Sequence, residues 1–465
     1  MFAASTYTER RSVLRKAVGN GLILLPANNE SPMNYPGNTY SFRQDGTWLY
    51  YLGLHHVAGM VAVLDADSGE DVVFGDDLGI DDVVWTGPLP TVAELAKSCG
   101  VGKTRPLADL KTVIDQAIRS GRRIHFLPPY RHDLQQWLSM LTGIKHRHLD
   151  QHASETLKKA IIAQRAYKTD EEVGQIEEAL EISYDMHTTA MKMAAPGVHE
   201  QSIAGTIEGI ALKRGSGVAF PIILSIHSEI LHNHHHVNTL KAGQFLCVDS
   251  GAAANSGYAS DITRTAPVGG KFTEKQKPIY EAVLKAEVNA IKACKPGVPY
   301  RDIHLQAARS MTSDMKALGL MKGDVDEAVA AGAHAIFFPH GLGHMMGLDV
   351  HDMEGLGEDL VGYDASVRRS DQFGLKWLRL ARPLEPGFVL TVEPGIYFIP
   401  TLIDQWKAEG RHKDFINYEK FEAYKGLGGV RIEDDVLVTR DGHRVLGKPI
   451  PKSVSEVEAI TATGL

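Results

Sequence analysis

A chain of 465 residues is too long for one compact core and suits two domains, one of them large. Its 43% hydrophobic and 23% charged residues are the proportions of an ordinary globular protein. The formal net charge of -8 argues against a nucleic-acid-binding function, because phosphate contacts need clustered lysines and arginines.

The cysteines and the hydropathy pattern bear on the compartment. Cys99, Cys247 and Cys294 are far apart and lack CxxC spacing, so they indicate neither a disulfide framework nor a thiolate zinc site. The N-terminal residues contain no apolar run of signal-peptide length, and no apolar stretch of transmembrane length occurs in the sequence. We therefore expect a cytoplasmic protein without a membrane partner.

The N-terminal part alternates helical and strand-like patterns up to about residue 150. A basic amphipathic segment at 9–18 leads into an apolar run at 21–26, and strand-like runs follow at 59–65 and 71–75. Strands separated by helical patterns predict an α/β domain. We find no catalytic cluster in this part of the sequence.

A change to long helical segments near residue 150 indicates the domain boundary. Thr169 and Glu172 form a capping-box pattern, in which the threonine begins a helix and the glutamate follows three residues later. Further helices are predicted at 201–214, 274–294 and 302–318. We place the boundary near residue 155, which gives domains at 1–155 and 156–465.

Several strand-like segments of the C-terminal domain carry acidic residues. The apolar runs at 243–249 and 388–393 each end on a carboxylate, and the segments 260–265 and 430–438 alternate like half-buried strands. An acid at the end of an apolar strand costs free energy unless another group compensates its charge.

If these strands converge, Asp249, Asp261, Glu393 and Glu433 place four carboxylates in one partly buried site. Carboxylates so close together cannot all ionise without compensation. Two divalent cations would neutralise the four charges, whereas one cation would leave two of them uncompensated. A set of oxygens with one imidazole, from His344, suits Mn²⁺, Co²⁺, Fe²⁺ or Zn²⁺ without choosing among them.

Two such ions have a characteristic chemistry. They can bridge a water molecule, lower its pKa to about 7 and stabilise a developing oxyanion. This chemistry predicts hydrolysis, with the bridged hydroxide as the nucleophile. Our first expectation is two Mn²⁺ ions per chain, and Co²⁺, Zn²⁺ and Fe²⁺ are the alternatives.

Five motifs follow one another across the C-terminal half of the chain. They are VDSG at 248–251, SDITR at 260–264, PHGLGHMMGLDVHD at 339–352, LTVEPGIY at 390–397 and VRIED at 430–434. In this order they resemble the pita-bread metallopeptidases, and within that family the aminopeptidase P and prolidase branch. YSFRQD at 40–45 and WLYYLGL at 48–54 resemble the same branch. The resemblance implies a creatinase/prolidase-like α/β domain followed by a pita-bread catalytic domain.

The resemblance also implies roles for the five ligands. Asp249 would bind one metal, His344 and Glu393 would bind the other, and Asp261 and Glu433 would bridge both. Glu393 would in addition move a proton from the attacking hydroxide to the leaving proline nitrogen. That nitrogen belongs to a tertiary amide, which must be protonated before it departs.

Three further histidines receive supporting roles from the same resemblance. His232 lies 17 residues before Asp249, the spacing at which the family carries a histidine that lines the substrate site. His351 would donate to the scissile carbonyl oxygen as negative charge develops there. His340 would border the proline pocket.

Arg431 and Tyr397 complete the predicted site. Arg431 lies two residues before Glu433 and hence on the same strand face, where it would hold a metal-bridging carboxylate in position. Tyr397 would complete the proline pocket. The loop between Asp249 and Asp261 is one residue longer than is usual in the family, and we expect a lengthened hairpin tip to absorb the difference.

The two members of the branch differ in the peptides they accept. A dipeptidase must bind the free carboxylate of proline, which an arginine can do through two hydrogen bonds. The segment 373–387, which contains Arg379, and the insertion at 398–425 resemble the larger prolidases, in which an arginine at this position holds that carboxylate. We therefore favour an Xaa-Pro dipeptidase. The alternative is an Xaa-Pro aminopeptidase that acts on longer peptides.

Other protein classes remain as rival hypotheses. Pita-bread folds also serve as non-enzymatic peptide-binding modules and as metal-free creatine hydrolases, and the presence of all five ligands argues against both. Neither HExxH nor GxSxG occurs, which argues against a zincin or a serine hydrolase. The family often pairs subunits so that the N-terminal domains line the active site, and we accordingly expect a homodimer.

Overall fold

The computed structural model describes residues 2–464 and has the mixed α/β architecture that the sequence predicts. It divides into two compact units, Met1–Arg165 with Met353–Leu360 and Ala166–Asp352 with Val361–Leu465. The predicted boundary near residue 155 falls at the start of the helix Glu155–Arg165, whose residues are grouped with the first unit. Among residues 2–464, no helix combines the length and the apolar character that crossing a bilayer requires.

A mixed sheet forms the centre of the first unit. The strands of this unit are β1 (Leu22–Pro26), β2 (Pro32–Tyr35), β3 (Asn38–Thr39), β4 (Val61–Asp65), β5 (Asp71–Phe74), β6 (Thr104–Arg105) and β7 (Ile124–His125). Five of them form a sheet in the order β6-β5-β4-β1-β7, in which β1 pairs parallel with β7 and antiparallel with β4. Leu24, Val63 and Phe74 from this sheet pack against Ile114 and Leu138 in one buried cluster.

Eight helices of the first unit are described. They are α1 (Ala4–Val18), α2 (Gly46–Leu52), α3 (Ile80–Thr86), α4 (Val92–Ser98), α5 (Leu110–Arg119), α6 (His132–Thr142), α7 (Leu149–His152) and α8 (Glu155–Arg165). The local sequence determines where α2 begins, because the Asp45 carboxylate accepts the Trp48 N–H at 2.9 Å. An acceptor at this position satisfies an otherwise unpaired donor of the first turn.

Long helices dominate the start of the second unit. The helices that follow α8 are α9 (Asp170–Lys192), α10 (Glu200–Arg214), α11 (Gln276–Ala293), α12 (Tyr300–Ala317), α13 (Val325–Ala330), α14 (Glu358–Gly362), α15 (Pro400–Ala408), α16 (Tyr418–Glu422) and α17 (Val454–Thr461). The predicted capping box is confirmed: the Thr169 hydroxyl accepts the Glu172 N–H, and the Glu172 carboxylate accepts the Thr169 N–H.

The strands of the second unit are short and form several small sheets. They are β8 (Gly217–Val218), β9 (Ile223–Ser225), β10 (Phe245–Ser250), β11 (Ala252–Ala253), β12 (Ile262–Pro267), β13 (Val389–Val392), β14 (Gly395–Tyr397), β15 (Gly429–Arg431), β16 (Asp434–Val438) and β17 (His443–Val445). The orders are β12-β10-β9, β11-β8, β13-β16-β17 and β14-β15.

The single strand predicted at 430–438 is wrong, because the chain breaks there into β15 and β16. β15 pairs with β14, whereas β16 pairs with β13. Glu393 and Pro394 separate β13 from β14, the two strands that pair with β16 and β15. Proline has no N–H with which to continue the ladder of hydrogen bonds. The break leaves Glu433 between two strands, and its N–H donates instead to the Thr263 carbonyl at 3.1 Å.

Candidate metal centre

Three predicted acids meet where β10, β12 and the break before β16 come together. β10 and β12 are antiparallel with Asp249 opposite Thr263, so Asp249 and Asp261 lie on one face as diagonal neighbours. Glu433 joins them through its backbone bond to Thr263. The longer loop between the two aspartates therefore leaves both strands in register.

Another pairing delivers the remaining two predicted ligands. β13 ends immediately before Glu393, and Thr391 within it exchanges hydrogen bonds with His344. The Thr391 N–H donates to the His344 carbonyl at 3.0 Å, and the His344 N–H donates to the Thr391 hydroxyl at 3.2 Å. As a result, His344 Nε2 lies 3.9 Å from Glu393 Oε1.

The side chains of these residues form a group of metal-ligand size. The ligand atoms of Asp261, His344 and Glu433 all lie within 4.8 Å of one another, and the three residues are buried. His344 Nε2 is 3.3 Å from Asp261 Oδ2. With Asp249 beside Asp261 and Glu393 beside His344, the structure brings all five predicted ligands together.

The electrostatics of the acids show why a divalent cation fits. Burial raises the pKa of Asp261 well above its ordinary value, and the Asp249 carboxylate raises it further. Burial and the charge of Asp261 likewise raise the pKa of Glu433, and burial raises that of Glu393 to about 7. One carboxylate oxygen of Asp249 and one of Asp261 are buried without a hydrogen-bond partner. Acids in this state hold protons that a divalent cation can replace.

His344 presents the nitrogen atom that a metal requires. Its Nδ1 lies 3.0 Å from the Met345 carbonyl oxygen, which can only accept a hydrogen bond. The proton of the neutral ring is therefore on Nδ1, and the lone pair of Nε2 faces Asp261 and Glu393. A backbone carbonyl commonly sets the tautomer of a ligating histidine in this way.

Arg431 is buried and connects several parts of the site. Its Nη2 forms an ion pair with Asp249 Oδ2 at 2.6 Å, and its Nε donates to Thr263 Oγ1 at 3.1 Å. Its Nη1 donates to the Tyr397 hydroxyl at 2.8 Å. Thr263 in turn donates to Glu433 Oε2 at 2.7 Å. Arg431 thus contacts Asp249 directly and is linked to the carboxylate of Glu433 through Thr263.

His340 and Tyr397 lie together beside Glu393. His340 Nε2 is 3.0 Å from the Tyr397 hydroxyl, and its Nδ1 is 3.9 Å from Glu393 Oε2. Burial lowers the pKa of His340 to about 3, and the charge of Arg431 adds to the effect. His340 is partly exposed whereas Tyr397 is buried, so His340 is the member of the pair that a bound peptide could contact.

His351, His232 and Arg379 lie near the ligands. The ring centre of His351 is 4.3 Å from that of His344, with the rings edge to face. Burial lowers the pKa of His351 to about 2, and the neighbouring His344 and Arg379 lower it further. His232 is exposed, yet neighbouring protein atoms displace enough water to lower its pKa, and Arg431 and Arg379 lower it further. Arg379 is therefore within electrostatic reach of both rings.

Three residues that sequence reasoning missed support the ligands. Thr263 is the hydrogen-bond bridge to Glu433, and Asp435 accepts the Asp261 N–H at 3.1 Å. The Tyr300 hydroxyl donates to the Thr391 carbonyl at 2.6 Å, on the strand that leads to the next ligand. Proximity to a predicted ligand within a motif could have identified Thr263 and Asp435. Tyr300 reaches the site only through packing of α12, which leaves no local signal.

The arrangement suits hydrolysis assisted by metal ions. Buried acids and one imidazole form a cation site, and a partly exposed carboxylate and two further imidazoles adjoin it. A cation site with acid–base groups at its edge is the combination that activates water and stabilises a developing oxyanion.

Family models match both parts of the chain. A model described as metallopeptidase family M24 matches residues 174–440, which is more than half of the chain and contains all five predicted ligands. A model described as the aminopeptidase P N-terminal domain matches residues 7–125.

Individual relatives match over nearly the whole length. The Xaa-Pro dipeptidase of Homo sapiens is 33% identical over 97% of this chain and 91% of its own length. A probable Xaa-Pro aminopeptidase of Metarhizium acridum is 32% identical over 96% of this chain and 86% of its own length. The structure of Pseudomonas aeruginosa aminopeptidase PepP has a TM-score of 0.81 and 29% identity, covering 100% of this chain and 99% of the other. These matches confirm the resemblance carried by the five motifs: the chain belongs to metallopeptidase family M24, in its aminopeptidase P and prolidase branch.

Proposed function

We propose that the chain is a dinuclear-metal peptidase that hydrolyses the Xaa-Pro bond at the N-terminus of short peptides. The observation that carries this proposal is the convergence of Asp261, Glu433 and His344 on one buried group of metal-ligand size. The names of the relatives support the substrate class, because they include an Xaa-Pro dipeptidase and a probable Xaa-Pro aminopeptidase.

The ligands Asp249, Asp261, His344, Glu393 and Glu433 would hold two divalent ions. Mn²⁺ is our first expectation, and Co²⁺, Zn²⁺ and Fe²⁺ are alternatives, since oxygens with one imidazole accept each of them. When bound, the ions supply a water activated near neutral pH and a positive charge for the scissile carbonyl oxygen. Four carboxylates balance two divalent ions, which supports the expected number.

Glu393 is the residue proposed to transfer the proton. Its side chain is 19% exposed, against 12% for Asp249 and 7% for Asp261, so it is the acid most open to a bound peptide among these three. The leaving proline nitrogen must be protonated before it departs. Glu393 therefore takes the proton from the attacking water and delivers it to that nitrogen.

The histidines and their neighbours orient the peptide. His351 donates to the scissile carbonyl oxygen as negative charge develops on it. His340 borders the proline ring, and the Tyr397 hydroxyl, which accepts from Arg431 and donates to His340 Nε2, holds the imidazole in place. His232 lines the exposed part of the substrate site.

Arg379 decides between the two peptide lengths. Its charge acts on both His351 and His232, which supports a position beside the cleft, where it would bind a free proline carboxylate. We therefore favour an Xaa-Pro dipeptidase. The alternative, an Xaa-Pro aminopeptidase for longer peptides, uses the same metal centre.

Hydrolysis of Ala-Pro and Ala-Pro-Ala by the Mn²⁺-loaded protein tests this function. A dipeptidase prefers Ala-Pro, and Arg379→Ala then raises KM for Ala-Pro far more than for Ala-Pro-Ala. Arg301→Ala, which removes a surface arginine paired with Asp302, is the matched control and should change neither KM. Preference for Ala-Pro-Ala selects the aminopeptidase, and cleavage of neither peptide by the metal-loaded protein contradicts the proposal.

The proposal includes a homodimer in the cytoplasm. Support for a subunit interface comes from α3, where Ile80 and Val84 are exposed and Trp85 is 87% exposed. Clustered exposed apolar side chains are typical of interaction surfaces. Three buried cysteines that are free thiols are in keeping with a reducing compartment. Sedimentation that finds only monomers would contradict the dimer, and cell fractionation that finds the protein elsewhere would contradict the location.

A further inference from the structure

A buried ion pair lies behind the loop that carries His344 and His351. Lys168 Nζ is 2.8 Å from Asp352 Oδ2, and each side chain is only 1% exposed. Lys168 comes from a distant part of the chain, immediately before α9, and belongs to none of the five motifs. Its backbone is also held, because its N–H donates to the Gly387 carbonyl at 2.8 Å.

Asp352 closes this loop. Its N–H donates to the Met345 carbonyl at 2.9 Å, which joins the residue after His344 to the residue after His351. The closed loop therefore begins at a predicted ligand and ends at the predicted carbonyl-binding histidine. The closure links backbone next to both imidazole rings, whose centres are 4.3 Å apart.

The surrounding backbone is adapted to the ion pair. A Cβ on Gly347 would lie 2.7 Å from Asp352 Oδ2 and 2.8 Å from Lys168 Cε, closer than atoms tolerate. The chain then leaves the loop through Met353, whose φ of 65° is uncommon for a residue with a side chain. Such a conformation persists only where neighbouring structure holds it.

A buried ion pair is weak evidence of a stabilising role, because desolvation offsets most of its attraction. Its location is more informative. Asp352 is bonded directly to His351, so a change in the Lys168 contact moves the imidazole that faces the metal centre. A displacement of about 1 Å in a reacting group can lower turnover about 100-fold.

We propose that Lys168 is a positioning residue whose ion pair with Asp352 holds His351 in the place that polarisation of the scissile carbonyl requires. The inference rests on the function proposed for His351. Lys168 contacts no substrate and acts only through the loop.

A double-mutant cycle on kcat tests this proposal, with whichever of Ala-Pro and Ala-Pro-Ala is cleaved faster as the substrate. Lys168→Met should lower kcat about 10- to 100-fold, with little change in KM or in bound Mn²⁺. In a His351→Ala background, Lys168→Met should cause no further loss, because the ring that it positions is absent. A further loss equal to that in the wild-type background overturns the proposal.

Two additional variants separate positioning from folding. Lys168→Met combined with Asp352→Leu removes both buried charges and should restore stability while kcat stays low. Gly347→Ala keeps both charges but forces them apart, and it should lower kcat only when His351 is present. Wild-type kcat in either variant overturns the proposal. Lys285→Met, which removes an exposed ion pair with Asp314, is the matched control.

Hydrogen exchange gives a readout that does not depend on activity. Lys168→Met should accelerate amide exchange in residues 345–353, while exchange around Asp249 and Glu433 stays unchanged. Unchanged exchange in 345–353 overturns the proposal. If the wild-type protein cleaves neither peptide, the proposed function fails, and the exchange experiment still decides whether Lys168 holds the loop.

Discussion

Two clusters of buried or half-buried acids meet at the consecutive residues Glu433 and Asp434, but in only one of them do cations equal the acids in number, because Arg431 is alone beside the four carboxylates of the other. The acid cluster consists of Asp249, Asp261, Glu393 and Glu433. The paired cluster consists of Asp434 and Glu287 with the cations Arg264 and Lys452. Because side chains alternate along a strand, consecutive residues such as Glu433 and Asp434 enter different clusters.

The pKa of Asp434, which is paired with two cations, differs in direction from the pKa values of Asp261 and Glu433. Burial raises the pKa of Asp261 and of Glu433, and neighbouring carboxylates raise both further. Burial acts on Asp434 in the same direction, yet Arg264 and Lys452 hold its pKa far below the ordinary value. Burial of an acid is therefore not in itself a sign of function. The absence of enough positive charge around it indicates a place for a metal ion.

The largest expected effect comes from removing a member of the acid cluster, and it falls on activity. Glu393→Ala should lower kcat by about 10⁴-fold or more, because a metal ligand and the proton-transfer group are lost together. The free energy of unfolding of the metal-free protein should stay equal or rise, because repulsion between carboxylates decreases. Peptide hydrolysis and denaturant unfolding after chelation measure the two quantities. Near-normal turnover would remove Glu393 from the mechanism.

Substitution of an acid in the paired cluster should instead lower the stability of the protein. Asp434→Asn leaves Arg264 without its buried anion, and breaking such a pair costs about 3–5 kcal/mol. The contribution of Asp434 is present above its unfolded pKa of about 4 and is lost as the pH falls through its lower folded pKa. Urea unfolding of the variant at pH 7 measures the loss.

Asp314→Asn provides the control for this substitution. It removes an acid from the exposed pair with Lys285 and should change the free energy of unfolding little. An Asp434→Asn variant as stable as the wild-type protein would contradict the distinction between the clusters.

Removal of the metal from the acid cluster should change the free energy of unfolding by an intermediate amount. Chelation should abolish hydrolysis and lower the free energy of unfolding by about 3 kcal/mol relative to protein with metal at about 100 times its Kd. Because the pKa values of Asp261 and Glu433 are raised without metal, rebinding at neutral pH should release protons. Titration calorimetry in buffers of different ionisation enthalpy measures this release. Metal binding without proton release would contradict the electrostatic account.

The smallest effect is expected from Glu287→Gln in the paired cluster. Burial raises the pKa of Glu287 to about 8, and the charge of Asp434 adds to this. A raised pKa gives stability that is complete below the unfolded value of about 4.3 and is lost as the pH rises towards the folded value. The wild-type protein should therefore lose about 1 kcal/mol of stability relative to the variant between pH 5 and pH 6. Urea unfolding measures both proteins at the two pH values. If the raised pKa of Glu287 is wrong, the difference in free energy of unfolding between variant and wild type will be the same at both.

The members of the acid cluster could be identified from the sequence because each lies at a strand end inside a short motif. Charge counting then led to a metal centre, and the structure brings the same residues together. The capping box at Thr169 was similarly readable, since both of its hydrogen bonds join residues three apart.

Contacts that depend on strand pairing could not be read in this way. The break between β15 and β16 lies opposite Pro394, and the contacts of Arg431 depend on how the surrounding strands pair. Its guanidinium consequently pairs with Asp249 and reaches Glu433 only through Thr263. The ion pair between Lys168 and Asp352 could not be predicted either, because the two residues are far apart in the sequence and no local pattern links them.

The central claim is that the acid cluster binds two divalent ions and that Xaa-Pro hydrolysis depends on them. The most direct test is a Mn²⁺ titration of the metal-free protein in which bound metal per chain and hydrolysis of Ala-Pro and Ala-Pro-Ala are recorded together. We predict that hydrolysis rises with bound metal and reaches its plateau at two ions per chain. Saturation with metal without cleavage of either peptide, or cleavage at full rate without bound metal, would contradict the claim.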